Sequence, residues 1–311
     1  MSKKNFTILL YHGVTNYKPI GVENFSRKHI FSCDFENQMI YLKKNYKLIS
    51  MDELVSLYKN SYLIDKDVNY AAVTFDDGFK NNFSTAAPIL NKYKIPTMFY
   101  ITTGLIGTKN LFWVDKIENY VNKANVNSFK LKLNLNYINF SIENSKQKIK
   151  TIKKIKSYCK LISRKDKDRI INELKKVTKY RHSKKIIKNY EILNWNEIRL
   201  MSKNKLFSFG AHTVDHEILS YLSKSEMISQ IKKSVSTLSN KLNLNVKHFS
   251  YPEGQKIHYN QAAIKFLKKI GIVCSPSAVK GINSQNDDLF HLKRIMVGFD
   301  GQKFPKLKQY K

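Results

Sequence analysis

The chain has 311 residues and a formal net charge of +31, from 55 Lys and Arg against 24 Asp and Glu. A hydrophobic share of 42% with 12% aromatics excludes a disordered polymer and supplies a substantial core, for one large α/β domain or two smaller ones. The excess charge is nearly all lysine and comes with no zinc-finger, helix-turn-helix or RRM signature, so nucleic acid is not the expected partner.

The chain opens on "MSKKNFTILLYHGV". Two lysines precede a short apolar run, but His12 and Gly13 break it and no small-residue cleavage site follows. It reads as a first buried strand rather than a signal peptide. Cys33, Cys159 and Cys274 form neither a CxxC pair nor a disulfide framework. Together these predict a cytoplasmic protein in a reducing compartment.

Strands are expected at "FTILLY" (6–11), "YAAVTF" (70–75) and "TMFYI" (97–101), with helices at 34–46 and 82–93 between them. From about Trp113 to Tyr190 this rhythm stops. Residues 128–142 alternate like an exposed strand pair, and 145–190 are dense in lysine, with Ile149, Ile152 and Ile155 on one helix face. The lysines are either solvated while the stripe packs on the main domain, or they form a basic surface for anionic lipid or an acidic glycan. The rhythm resumes with strands at 206–210, 248–251 and 271–275. Ser50 with Glu53, and Ser223 with Glu226, fit the box that opens a helix. Alternating strand and helix predicts an α/β fold with a parallel sheet or barrel. The whole chain, 1–311, reads as one domain with a mainly helical insertion at about 114–190.

Two motifs carry chemistry. "VTFDDGF" (73–79) puts Asp76 and Asp77 at a strand end, where unpaired charge is costly. Alone, the pair with Gly78 could be a helix cap or a turn. "GAHTVDHEIL" (210–219) spaces His212 and His216 by four, which on a helical turn would let both hold one metal ion. One aspartate completes that site and leaves its neighbour as a base for water.

"TFDDG" and "HTVDH" resemble the first two motifs of the polysaccharide deacetylases, also called NodB-homology or carbohydrate esterase family 4 proteins. The resemblance extends to "ILLYHGV" (8–14), 35–50, 193–201, "HFSYPEGQ" (248–255) and "LKRIMV" (292–297). It implies a distorted, incomplete (β/α) barrel with its site at the strand C-terminal ends. It also implies a metal-dependent enzyme removing acetyl groups from sugars, with Asp76 as base and Asp77, His212 and His216 as metal ligands. "SYPEG" matches the motif whose amide stabilises the oxyanion, implying the amide of Tyr251. The family's third motif often carries an arginine on the base; none stands there, and Arg294 is the substitute by position. Glu253 stands where aromatics are common, which bears on the substrate.

The family's C-terminal general-acid motif is not evident, leaving His12 and His291. Members resembling the poly-N-acetylglucosamine deacetylases carry the acid on an early strand in a "YH" context, which favours His12, on the condition that it is protonated near neutral pH. The expected substrate is an N-acetylated sugar in a glycan or its precursor. An O-acetyl esterase, or a basic binding module on an inactive barrel, are the alternatives. Zinc suits two imidazoles and a carboxylate, with cobalt or nickel also tolerated.

Overall fold

The computed structural model describes residues 6–65, 67–181, 187–298 and 304. It divides into two compact units, one of Met1–Asn16, Ser26–Thr108 and Ile192–Lys311, the other of Tyr17–Phe25 and Lys109–Glu191. The first unit begins with β1 (Phe6–Tyr11), β2 (Gly13–Thr15), β3 (His29–Phe31), α1 (Ser32–Asn45), β4 (Lys47–Leu48) and α2 (Met51–Lys59). It continues through β5 (Tyr70–Phe75), α3 (Ala87–Tyr93) and β6 (Thr97–Ile101). The second unit supplies α4 (Trp113–Asn122), the pair β7 (Ser128–Leu133) and β8 (Asn136–Ser141), α5 (Ser145–Cys159) and α6 (Arg164–Val177). The first unit resumes with α7 (Trp195–Ser202), β9 (Phe207–Ala211), α8 (Lys224–Leu242), α9 (Gln261–Lys269) and β10 (Ile295–Met296). Each unit thus holds one of the two tryptophans, Trp113 and Trp195.

The fold is α/β with a parallel sheet in the order β10-β1-β5-β6-β9, and β4 adds beside β5. Every residue of β1, β5 and β6 is buried. Burial on both faces is why these strands read as unbroken apolar runs. Beyond β9, among the described residues, pairing continues as single bridges: Ala211 with Phe249, His248 with Cys274 and Lys280 with Arg294, all parallel, and Asn283 antiparallel to Phe6. The strands expected at 248–251 and 271–275 are therefore reduced to bridges. In the first of them Pro252 follows at once and has no N–H to extend a ladder.

On one face of the sheet, Tyr11, Phe75, Phe99 and Phe209 are register partners, with successive ring centroids 5.3, 5.3 and 5.7 Å apart. This stack ends β5 one residue before Asp76, so a rigid packed row carries the carboxylate pair. Both expected capping boxes are present, Ser50 with Glu53 on α2 and Ser223 with Glu226 on α8. The helix expected over 82–93 starts as a π-helical stretch, Asn82–Ala86, before α3. Wider turns of this kind are frequent at functional sites, and here the Asn82 amide donates to the His12 carbonyl at 2.8 Å.

The second unit has its own core. β7 and β8 form an antiparallel hairpin, but Phe129, Leu131, Leu133 and Phe140 are buried, so one face of the expected exposed pair is covered. Ile152 and Ile155 are buried against Ile117, Val121, Ile170, Ile171 and Leu174, with Ile149 packed at the edge. The isoleucine stripe thus closes the unit's own interior, a correction to the expectation that it packs on the main domain. Among the described residues, no helix is long and apolar enough to cross a membrane.

Candidate active site

Asp76 extends the β5 ladder by one residue, its N–H donating to the Tyr11 carbonyl at 3.0 Å. The chain then reverses within three residues, as the Gly78 N–H returns to the Asp76 carbonyl at 3.1 Å. Gly78 has φ +94°, but Asp77 too has a left-handed φ of 80°. A positive φ at a non-glycine residue stores about 1–3 kcal/mol and persists only where its surroundings hold it. Here the Thr102 N–H binds the Asp77 carbonyl at 3.2 Å. The tight turn lets adjacent carboxylates serve two different neighbours.

Asp77 faces the histidines. Its Oδ1 lies 3.3 Å from His216 Nε2 and 3.7 Å from His212 Nε2. One ligand atom from each of the three residues falls within 4.8 Å of the others, a cluster that could hold a metal ion. His212 Nδ1 is 2.7 Å from the Ser250 carbonyl. A carbonyl only accepts, so Nδ1 carries the proton and Nε2 presents its lone pair to the cluster. Burial pushes the His212 pKa down against the pull of Asp76, keeping the ring neutral as a ligand must be. The donor set fits a divalent cation.

The expected helical turn through His212 and His216 is absent. The two residues sit on a loop after β9, with φ of 63° at Thr213 and 58° at His216. The rings still converge, at a centroid distance of 4.9 Å. Left-handed backbone brings them together where helical spacing was expected to.

Asp76 faces Arg294. Its Oδ1 accepts from Nη1 at 2.8 Å and its Oδ2 from Nη2 at 2.7 Å. The other Arg294 N–H groups reach the Ser277 carbonyl at 2.7 Å, Thr74 Oγ1 at 3.2 Å and Ser250 Oγ at 2.8 Å. All five guanidinium donors are used, as full burial of Arg294 demands. Burial works to raise the Asp76 pKa, but the Arg294 charge, aided by His212, holds it at about 2. The Ser250 hydroxyl also donates to Asp76 Oδ2 at 3.2 Å. Three donors occupy a carboxylate with about four acceptor positions, leaving one for a water or substrate proton.

His12, just after β1, feels Asp76, Arg294 and His212. Although some of its surface meets solvent, desolvation pushes its pKa down to about 3 against the pull of Asp76. The condition that the ring be protonated near neutral pH is therefore not met in the resting site. His291 is exposed, bonds the Tyr259 hydroxyl at 3.0 Å, and lines a cavity of about 630 Å³ with Asp287, Asp288 and Lys293. The Tyr251 amide belongs to a trans peptide whose carbonyl is the acceptor for His212. Ser250 and Thr74 escaped the sequence reading although both lie inside quoted motifs. A small hydroxyl next to an aromatic carries no local sign of the arginine it binds.

Residues 64–275 match the family profile described as polysaccharide deacetylase. The poly-beta-1,6-N-acetyl-D-glucosamine N-deacetylase of Staphylococcus aureus is 31% identical over 98 residues, covering 31% of this chain and 32% of that protein. The match thus spans about a third of this curated relative. The Streptococcus pyogenes deacetylase PplD, solved in complex with acetate, superposes over 100% of this chain and 99% of its own, with a TM-score of 0.63 and 19% identity. IcaB from Ammonifex degensii covers 95% and 93%, with a TM-score of 0.60 and 17% identity. These structures share the fold. The chain belongs to the polysaccharide deacetylase family.

Proposed function

We propose that this family member is a metal-dependent carbohydrate N-deacetylase that hydrolyses the acetamide of an N-acetylated sugar. The observation that carries the reading is the division of labour at residues 76 and 77. One carboxylate joins two histidines while its neighbour is clamped by a buried arginine with one acceptor position left. The aligned stretch of the Staphylococcus aureus relative supports an N-acetylglucosamine polymer or its precursor as the substrate class.

Asp77, His212 and His216 would hold the cation, with zinc favoured by the ligand types. A bound cation supplies Lewis-acid polarisation to the acetamide carbonyl. Asp76 accepts a proton from the attacking water through its remaining acceptor position. Held at about 2, it stays ionised at working pH and releases that proton readily. The departing nitrogen must be protonated, because an amide anion leaves poorly. His12, within electrostatic reach of Asp76, is the group that delivers this proton.

The test is acetate release from a panel of N-acetylated oligosaccharides, nucleotide sugars and lipid-linked sugars, with metal content measured in parallel. Release should stop on chelation and return with Zn²⁺. Asp76→Asn should keep the metal and lose turnover, whereas His212→Ala should lose both. A fully metallated protein that releases no acetate from any of these would overturn the proposal. Release only from O-acetyl esters would move it to an esterase.

A further inference from the structure

The three residues between His212 and His216 are in neither helix nor strand. Two of the five residues, Thr213 and His216, have left-handed φ, which is unusual above all for a β-branched threonine. The loop is held from two sides. On its carbonyl side, the N–H groups of Thr103 and Gly104 bind the carbonyls of Thr213 at 3.1 Å and Val214 at 2.9 Å. A side chain at Gly104 would put Cβ 2.6 Å from that Val214 oxygen. On its amide side stands Gln230, on the second turn of α8.

Gln230 Oε1 accepts from the N–H of Val214 and of Asp215, both at 3.0 Å. Its Nε2 donates to Asp215 Oδ2 at 2.7 Å. The His216 N–H then closes onto Thr213 Oγ1 at 3.0 Å. Only a carboxamide does both jobs: a carboxylate could receive the two amides but would repel Asp215, and a hydrocarbon could do neither. We propose that Gln230 is a positioning residue that fixes the loop between the two histidine ligands, setting metal affinity without touching the metal. The inference rests on the metal-dependent reading above. Its physical content is that the loop pays for two strained residues with hydrogen bonds from outside the motif. Without them His216 Nε2 would no longer be kept 3.3 Å from Asp77 Oδ1.

The experiment compares Zn²⁺ affinity, by competition with a chelating dye, and the visible spectrum of the Co²⁺-loaded chain. Measurable affinity in the parent comes first; a parent that binds neither ion would sink the metal reading itself, and this inference with it. Given a binding parent, Gln230→Leu should bind about 10–100-fold more weakly, the usual effect of losing an outer-shell partner, and its Co²⁺ spectrum should change. Gln230→Glu should also weaken binding, since it sets two carboxylates face to face. Gln230→Glu combined with Asp215→Asn restores the hydrogen bond with reversed polarity. That pair should return to within about threefold of the parent, as coupled neighbours do. Parental affinity and spectrum in Gln230→Leu, or a double variant no better than Gln230→Glu, overturns this inference alone.

Discussion

Asp76 in the first unit and Glu118 in the second are buried carboxylates, 4% and 3% exposed. Glu118 accepts from the Asn24 N–H at 2.8 Å, from the Tyr190 hydroxyl and from Lys156 Nζ at 3.0 Å. Those donors tie segment 17–25 and the end of the insertion to the helices of the unit. Asp76 is held as firmly, but beside it the backbone is left-handed at Asp77, Thr213, His216 and Glu253. Among the described residues of the second unit the left-handed non-glycine ones are Asn24, Asn134 and Lys179. Asn134 lies in the hairpin turn and Lys179 just past α6, where such backbone is common. A buried charge alone therefore does not mark a site. Left-handed backbone borders Glu118 too, at Asn24, so what marks the site is the convergence of three metal-type ligands.

The comparison is tested hardest by turnover. His12→Ala should lose about 10²–10⁴-fold on an acetamide substrate and much less on an activated aryl acetate, whose leaving group needs no proton. Glu118→Gln should leave both rates near parental. Equal losses on the two substrates would remove His12 from the acid role, and a crippling His291→Ala with a mild His12→Ala would transfer it.

Stability comes next. Arg294→Met strands Asp76 as a buried charge and should cost about 3–5 kcal/mol in denaturant unfolding. Glu118→Gln keeps acceptors for Asn24 and Tyr190 and should cost only about 1–3 kcal/mol. A cheaper Arg294 variant would mean that water reaches Asp76.

Acid should separate the units more gently. Burial lowers the pKa of His12, His29 and His212. Each is neutral when folded, so below 6.5 the unfolded chain binds more protons and stability falls with pH. For His12 the loss runs from 6.5 to about 3, at up to about 1.4 kcal/mol per pH unit. Asp76 adds to the loss as pH falls from 3.8 through about 2. Glu23 in the second unit runs the other way: burial raises its pKa, a contribution fully present below 4.5 and lost as pH rises through the folded value. Metal-free hydrogen exchange at pH 7 and pH 5 should show the strands of the first unit losing protection first. Equal loss in both units would contradict this.

The smallest effect concerns surface charge. Residues 109–191 carry 23 Lys and Arg against 7 Asp and Glu. If those lysines are solvated, reversing the exposed ones on α5 should leave acidic-liposome binding unchanged and weak. Binding that falls steeply with salt and vanishes on reversal would establish a membrane-docking face.

Much of the sheet was legible because β1, β5, β6 and β9 are apolar runs whose length and spacing fit buried strands. The residue types of the cation cluster were legible for a similar reason, since carboxylate and imidazole side chains advertise their chemistry. What could not be read was geometry set by distant parts of the chain. The family resemblance did pick out Arg294 by position as the partner of the base, and it meets Asp76 across 218 positions; what stayed hidden was its full burial and its bonds to Thr74, Ser250 and Ser277. The HxxxH spacing suggested a helix because sequence does not display a positive φ at threonine or histidine. His12 was read as the general acid from a strand-end position, which says nothing of the desolvation that lowers its pKa. Segment 17–25 likewise gave no sign that Val22 and Asn24 would bond to Asn122 and Glu118, about a hundred residues on.

The placement of Trp113 and Trp195, one indole in each unit, has an optical consequence. Trp113 lies 5.0 Å below the Lys167 ammonium and Trp195 6.0 Å from that of Lys241, so each emits from a folded environment that unfolding would destroy. Replacing either with phenylalanine leaves a single fluorophore. The emission of Trp113→Phe then follows the unit that holds Asp76, and that of Trp195→Phe the unit that holds Glu118. Intrinsic fluorescence can thus resolve a melt of this chain into two colour-independent traces without any attached dye.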